Sequence, residues 1–427
     1  MDNSRDNNSD GVFTIEEGCQ VAKINDSSFK QFLAKDKSDK TRYIKLILTN
    51  SFDRYHALST IGYVLYTIDD LLSQKPNKKP NSLVNQYFRD TITNYAKSKS
   101  RELLDAYRDS VLGLPATNTE IVQVLMNIYR EQIDQSKIQE KQSAIDDLNR
   151  MISGLDNGIY VFKPYGSFVN GIMISNSDVD LSLFKDSQTL SPQDQVCVRD
   201  FLAKRKEVQS VQLVQSRLPI IKLVHSNIDF DVSFGNHSAV DNSLLLRAYA
   251  QADPRAHAFL VLIKKWAAVK FISSAAFGYL SSYAYSCLSI FFLQTIDPPV
   301  LPCIKLDQIS GLNWSSANTL SIDQLLLKFF IFYSTFDFSQ NLVSISKGVM
   351  TRVQDCPTMP MSPTSCVYIQ DPLIDDFNTA KSLKPGKLDL IKLELYSAVC
   401  ILTSGSPTLS ANLFLAIDKS APVLVSK

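Results

Sequence analysis

Two aspartates separated by one apolar residue, Asp178 and Asp180, lie in the segment YGSFVNGIMISNSDVDLSLF at residues 165–184. On a β-strand, alternate side chains share a face, so both carboxylates point one way while Val179 and Leu181 point to the core. Two neighbouring like charges destabilise a fold unless a cation lies between them. Carboxylate oxygens suit Mg²⁺ or Mn²⁺. The spacing therefore predicts a site for a divalent cation.

A third carboxylate and a phosphate-binding turn accompany this pair. The strand-like segment NIDFDVSF carries Asp229 and Asp231 on one face, and we choose Asp231 because it lies nearer the middle of the strand. Gly166 and Ser167 supply a flexible backbone whose amides and hydroxyl can hold a phosphate. Three carboxylates can hold two metals, one activating a 3′-hydroxyl and the other binding a triphosphate. An isolated Asp-x-Asp pair occurs on many exposed strands, but the combination indicates nucleotidyl transfer.

These residues, in this order, resemble the DNA polymerase β nucleotidyltransferase superfamily. The segments that follow resemble its branch of RNA terminal uridylyltransferases and cytoplasmic-type poly(A) polymerases, over roughly residues 119–390. The resemblance implies an enzyme that adds nucleotides to an RNA 3′ end without a template, with Asp178, Asp180 and Asp231 as catalytic and metal-binding residues. It also implies a set of nucleotide-binding residues, namely Gly166, Ser167, Asn242, Lys264, Ser282, Tyr283 and Asp371.

Within that set, the resemblance assigns Asn242 to the sugar and base, Lys264 and Ser282 to the triphosphate, and Tyr283 to stacking on the base. The residue types agree, because a lysine can neutralise phosphate charge and a flat ring can stack on a base. Two alternatives stay open: Lys264 on a solvated helix face and Tyr283 in core packing. Trp266 is expected in the core.

Departures from the branch bear on which nucleotide is used. Ala268 stands where the family usually has a second lysine, and Lys270 is displaced by two residues. Ile374 replaces an acidic residue, and Phe377 stands where many uridylyltransferases have a base-reading histidine. The Asp371 carboxylate suits the N–H of uracil or the amine of adenine alike. We prefer UTP; ATP, as in a poly(A) polymerase, is the alternative, and an inactive scaffold subunit of an RNA-processing complex is the second.

Composition is that of a soluble intracellular protein. The 427 residues are 45% hydrophobic with a net charge of +1, enough for two or three domains. No apolar run reaches the ~20 residues of a membrane span, and the polar start is unlike a signal peptide, so we expect a cytoplasmic or nuclear location without a membrane partner. Near-neutral charge excludes a wholesale basic nucleic-acid binder but not a local groove for an RNA 3′ end.

The hydrophobic pattern predicts an α+β chain in three parts. Residues 1–118 contain amphipathic helical stretches at 51–72 and 82–112, which predict a helical extension whose apolar faces are buried against the catalytic body or a protein partner. Residues 119–240 are predicted to form a mixed-sheet nucleotidyltransferase palm. Residues 241–427 are predicted to form a mainly helical nucleotide-recognition domain of the poly(A) polymerase-associated type, with the active cleft between the two.

Overall fold

The computed structural model describes residues 19–22, 116–175, 177–186, 189–215, 218–415 and 423–426. The helices predicted at 51–72 and 82–112, and most of the extension over 1–118, lie outside the described residues. Strands β1 (Cys19–Ala22) and β10 (Val423–Ser426) pair as a two-stranded antiparallel sheet. Among the helices described, none is both long and apolar enough to cross a membrane.

A five-stranded mixed sheet carries the carboxylates. Its strands in chain order are β2 (Tyr160–Tyr165), β3 (Val179–Lys185), β4 (Val208–Val214), β5 (Ile220–His225) and β6 (Ile228–Phe234). Their order in the sheet is β2-β3-β6-β5-β4, and the β3–β6 pair is parallel while the other pairs are antiparallel. The mixed sheet that the hydrophobic pattern predicts is therefore confirmed.

One face of this sheet is covered by helices, and the other carries the polar residues. Four helices lie near it in sequence: α1 (Thr119–Gln132), α2 (Gln135–Ile152), the short α3 (Ser167–Asn170) and α4 (Pro192–Ala203). Apolar residues of α2 and α4, such as Leu148 and Val198, join Val179, Leu181 and Val232 in one core. Because side chains alternate along β3 and β6, the residues between these core positions face away from it.

A second, larger core is mainly helical. It is built on α5 (His237–Ala252), α6 (Pro254–Val269), α7 (Ser282–Thr295), α8 (Ile322–Thr335), α9 (Pro385–Thr403) and α10 (Pro407–Asn412). A small sheet of order β8-β7-β9 accompanies it, formed by β7 (Asn341–Val343), β8 (Thr351–Arg352) and β9 (Tyr368–Ile369). Trp266 is fully buried here, as predicted.

Helix α1 packs with this second core. Ile121, Leu125 and Ile128 belong to it, and the Asn118 backbone N–H donates to Asp323 Oδ2 at the start of α8, at 2.9 Å. The predicted palm of 119–240 included α1, because an amphipathic helix shows which residues it buries but not against what. The packing of α1 thus differs from that division, while the boundary at residue 119 stays a prediction.

Candidate active site

The Gly166–Ser167 turn lies directly against a carboxylate. Gly166 adopts φ +67° and ψ −147°, a backbone conformation that is essentially restricted to glycine. A Cβ at this position would lie 2.2 Å from Asp180 Oδ2, so only glycine lets the turn approach so closely. The Gly166 N–H donates to Ser243 Oγ of α5 at 2.7 Å, which ties the turn to the helical part. Ser167 then begins the short helix α3.

The three predicted aspartates come from two neighbouring parallel strands. Asp180 on β3 and Asp231 on β6 are direct register partners, and Asp178 lies just before β3 with its side chain exposed. Val179 and Leu181 are fully buried on the opposite face, as the alternation predicts. The sheet therefore brings the three carboxylates of the sequence prediction to one location, although their roles remain predictions.

The three aspartates place negative charges close together, and none of the three supplies a compensating positive charge. Burial, together with the negative charges of Asp178 and Asp231, raises the pKa of the Asp180 carboxyl from 3.8 to about 7, and Lys264 partly opposes that rise. A carboxyl that is hard to ionise among like charges is the situation that a bound cation relieves. The local electrostatics thus favour binding of positive charge.

Lys222 was missed by the sequence analysis. It lies opposite Asp231 across the β5–β6 pair, and its Nζ donates to both carboxylate oxygens, Oδ1 at 3.0 Å and Oδ2 at 3.1 Å. The side chains are 54% and 29% exposed, respectively. A polar residue at an alternating position of the strand IIKLVH was the available signal, but its partner depends on a register that sequence does not show.

The donor set fits a hard divalent cation, because three carboxylates on one sheet face provide oxygen ligands of the kind Mg²⁺ prefers. Within the described part of the chain, no three His, Cys, Asp or Glu side chains are already drawn together as a metal-binding group. Asp178, Asp180 and Asp231 are the residues that would hold the metal.

Two buried lysines flank the segment that leads into β3. Lys264 of α6 is 8% exposed, and its Nζ lies 3.4 Å from Ser177 Oγ. Lys141 of α2, which the sequence analysis missed, donates to the Ser177 carbonyl oxygen. Burial lowers the pKa of Lys264 to about 8, while Asp180 and Asp178 act in the opposite direction. Lys264 therefore faces the site rather than a solvated helix surface.

Asp371 holds a buried network together. Its carboxylate accepts from Asn242 Nδ2 at 3.2 and 3.3 Å and from the Tyr283 hydroxyl at 3.0 Å. It also accepts from the backbone N–H groups of Leu373 and Ile374, at 2.9 and 3.1 Å. A carboxylate has about four lone-pair sites, so these four donors occupy them. We expected Asp371 to accept from the base, but in this structure it positions Asn242 and Tyr283 instead.

This network leaves one polar atom free. Asn242 Oδ1 is buried and has no hydrogen-bond partner, whereas its Nδ2 is committed to Asp371. A buried acceptor without a donor is costly, so its position favours a ligand that donates. Tyr283 is half-buried with its hydroxyl held by Asp371, and the adjacent Ser282 begins α7 with its Oγ 3.2 Å from Ser273 Oγ.

The structure shows where the residues lie that depart from the family pattern. Ile374 is exposed and Phe377 is half-buried, and the Lys381 Nζ lies 3.9 Å from the centroid of the Phe377 ring. Lys270 does not replace the missing second lysine, because it is buried and its charge acts on the buried carboxyl of Glu394.

Two family models match the chain. The central palm domain of mitochondrial-like poly(A) RNA polymerase matches residues 121–251, and the Cid1 family poly A polymerase domain matches residues 321–377. Terminal uridylyltransferase cid1 of Schizosaccharomyces pombe is 27% identical over 69% of this chain and 81% of its own length. The mitochondrial poly(A) RNA polymerase of Drosophila melanogaster is 25% identical, over 69% of this chain and 56% of its own length.

Solved structures agree in fold. The Cid1 poly(U) polymerase with Mg and 3′-dATP superposes with a TM-score of 0.62 at 26% identity, over 70% of this chain and all of its own. A cytoplasmic RNA terminal U-transferase superposes with a TM-score of 0.63 at 27% identity, over 71% of this chain and 99% of its own length. The palm, the cluster of aspartates and these matches lead to one conclusion. The chain carries a poly(A) RNA polymerase-like palm domain and a Cid1-type poly(A) polymerase domain, and it is similar in sequence and fold to Cid1-type nucleotidyltransferases of the DNA polymerase β-like superfamily.

Proposed function

We propose that this chain adds nucleotides to the 3′ end of RNA without a template, with UTP as its preferred substrate. The observation that carries the proposal is the register of β3 against β6, which sets Asp180 beside Asp231 while the Gly166 turn lies against Asp180. Asp178 completes a set of three carboxylates at one end of the sheet. This is the arrangement required for nucleotidyl transfer to a hydroxyl.

In this proposal, Asp178, Asp180 and Asp231 would hold Mg²⁺ or Mn²⁺, which when bound would lower the pKa of the attacking hydroxyl and offset the charge of the leaving pyrophosphate. Asp231 also helps to remove the proton from the RNA 3′-hydroxyl. Lys264 and Ser282, with the Gly166–Ser167 turn, bind the triphosphate. Because a Lys ammonium acts as a point charge, Lys264 stabilises phosphate charge without fixing its orientation.

The nucleoside is held by the network around Asp371. Tyr283, fixed through its hydroxyl, offers a ring face for stacking, worth roughly 1–3 kcal/mol for a base on an aromatic platform. The free Oδ1 of Asn242 accepts a hydrogen bond from the nucleotide, since its amide nitrogen is already used. Asp371 thus contributes to nucleotide binding by orienting the two groups that touch it.

The choice of UTP rests on Asp371, Tyr283 and Asn242, and Lys381 adds a further argument for it. Its ammonium lies over the Phe377 ring, at the position where many uridylyltransferases have a base-reading histidine. Lys381 is exposed, and if its ammonium turns towards the base it can donate to a carbonyl oxygen of uracil, whereas the exocyclic amine of adenine offers it no acceptor. ATP is the second candidate, favoured by the absence of a hydrogen-bonding group on Phe377 itself and by the poly(A) polymerases among the relatives.

Partners and location are part of the same proposal. The RNA 3′ end and a nucleoside triphosphate are the substrates, and residues 1–118 are proposed as the surface that binds a protein partner. We retain a cytoplasmic or nuclear location as a prediction; one relative carries the name of a mitochondrial enzyme.

The test incubates the full chain with labelled single-stranded RNA, Mg²⁺ or Mn²⁺, and each of the four nucleoside triphosphates separately. Extension with UTP in preference to ATP supports the proposal. Extension with ATP alone identifies a poly(A) polymerase and refutes the choice of UTP. Binding of RNA without extension by any nucleotide favours a scaffold subunit.

A further inference from the structure

The ion pair of Lys222 and Asp231 places a cation on a residue assigned to the metal. The Lys222 ammonium contacts both oxygens of the carboxylate, at 3.0 and 3.1 Å, from the strand next to β6. An ammonium that contacts both oxygens takes two of the roughly four lone-pair sites of the carboxylate, and its charge repels a second cation. The pair and a metal at Asp231 therefore compete for the same atoms.

The ion pair of Lys222 and Asp231 separates easily. Lys222 is 54% exposed, and exposed ion pairs contribute little to stability because water and salt screen them. A lysine also has a flexible stem with four carbons, so its head can move several ångströms without moving β5. Lys264 and Lys141, in contrast, are buried and held at Ser177.

An open groove offers the displaced ammonium a new position. It has a volume of about 680 Å³ and runs over the outer face of β5 and β4 from Asp178 and Asp231. Its lining includes Lys222 together with Ser210, Gln212 and Asn227, which are hydrogen-bond donors. None of the residues assigned to the nucleotide lines this groove, so it leaves room for the second substrate beside Asp178 and Asp231.

We infer that Lys222 is a displaceable counter-ion: it occupies Asp231 in the metal-free enzyme, yields the carboxylate to a divalent cation, and then contacts a backbone phosphate of the RNA in the groove. The inference rests on the proposed function, since it takes Asp231 as a metal ligand and RNA as the substrate. Its consequence is that metal binding prepares the groove for RNA.

Two substitutions of Lys222 should change the affinity for Mn²⁺ in opposite directions. Lys222→Met keeps the length of the side chain but removes the competing charge, so Mn²⁺ binds about two- to fivefold more tightly, the range that loss of an exposed ion pair allows. Lys222→Arg offers Asp231 a planar fork that binds both oxygens, so Mn²⁺ binds more weakly than to the wild type. If Lys222 merely positioned Asp231, Lys222→Met would instead weaken Mn²⁺ binding.

The experiment measures Mn²⁺ binding to the full chain by electron paramagnetic resonance, without nucleotide or RNA and at fixed ionic strength. Lys206→Met is the matched control, because Lys206 is an exposed lysine in the turn between α4 and β4. We expect Lys222→Met to bind Mn²⁺ most tightly, the wild type and the control to bind it equally, and Lys222→Arg to bind it most weakly. Equal affinity of the wild type and Lys222→Met overturns the inference but leaves the metal site intact. Absence of Mn²⁺ binding in all four proteins overturns both the inference and the metal site of the proposed function.

A second measurement addresses the RNA. Binding of a single-stranded oligonucleotide is compared with and without Mn²⁺ for the wild type, Lys222→Met and Lys206→Met. The gain in affinity that Mn²⁺ produces should be smaller in Lys222→Met than in the other two proteins, because no ammonium is released into the groove. An identical gain in all three overturns the role of Lys222 in RNA binding.

Discussion

The close approach of Gly166 to Asp180 gives the sharpest prediction. In Gly166→Ala, the new Cβ would lie 2.2 Å from Asp180 Oδ2, 3.1 Å from Cγ and 3.3 Å from Cβ, whereas ordinary contact begins near 3.4 Å. Rotation of the carboxylate alone does not relieve all three contacts, so the Asp180 side chain must shift, with its oxygen moving by about 1 Å. Misplacement by about 1 Å can cost a catalytic group ~10²-fold in rate.

Stability and activity respond differently to this change. The backbone at φ +67° and ψ −147° costs a non-glycine residue ~1–3 kcal/mol, and the clash adds less because a side-chain end can move. Gly235→Ala is the matched control, because Gly235 also has a positive φ, +60°, but its added Cβ would meet no atom within 4 Å. Both variants should lose comparable stability in urea denaturation.

The assay is kcat/KM for nucleotide incorporation into labelled RNA. We expect Gly166→Ala to be about 10²-fold less active than wild type and Gly235→Ala to stay within a few-fold of wild type at a temperature where both are folded. If the two variants retain similar activity, the turn does not fix the position of Asp180 and the reasoning is refuted.

Three further changes test the nucleotide site and the core. Asp371→Asn turns one acceptor into a donor that faces other donors, so KM for the nucleotide should rise about tenfold with kcat changed less, in steady-state kinetics. Lys381→Met should reduce the ratio of kcat/KM for UTP to that for ATP by about tenfold. Burial raises the pKa of Glu394 from 4.5 to about 7, so the folded state binds this proton more tightly than the unfolded state and wild-type stability falls as pH rises through that window. Glu394→Gln should therefore match wild type near pH 4.5 and exceed it at pH 8 in urea denaturation.

Each of these has a clear contrary result. An unchanged KM in Asp371→Asn would mean that the network does not position Asn242 and Tyr283. An unchanged UTP to ATP ratio in Lys381→Met would remove the support that Lys381 gives to UTP. Parallel stability profiles for Glu394→Gln and wild type between pH 4.5 and 8 would mean that the buried carboxyl does not titrate in this range.

The features that depend on a local pattern in the chain could be predicted from the sequence. Alternation placed Val179 and Leu181 in the core and turned Asp180 outward, and the hydrophobic pattern predicted a mixed sheet and a mainly helical part. The choice of Asp231 over Asp229 agrees with the register, since Asp231 lies beside Asp180. These features depend on the repeat of a single strand or helix, which sequence shows directly.

Contacts between residues that are far apart in the chain could not be predicted from the sequence. Lys222 and Asp231 meet because β5 pairs with β6 in one register, and Asp371 meets Asn242 although 129 residues separate them. Helix α1 joins the helical core because of where its apolar face docks. Lys270 lies near Glu394 rather than with Lys264. None of these follows from a periodic pattern, because each depends on which surfaces meet in three dimensions.

The central claim is that the carboxylates on β3 and β6 carry out transfer to an RNA 3′ end. Its most direct test is single-turnover incorporation of labelled nucleotide into RNA by wild type, Asp180→Asn and Asp231→Asn, with circular dichroism to show that each is folded. We predict that wild type extends the RNA and that both folded variants lose at least ~10³-fold in rate, because Asn keeps the shape but removes the charge that binds the metal. Extension at the wild-type rate by either folded variant would contradict the account.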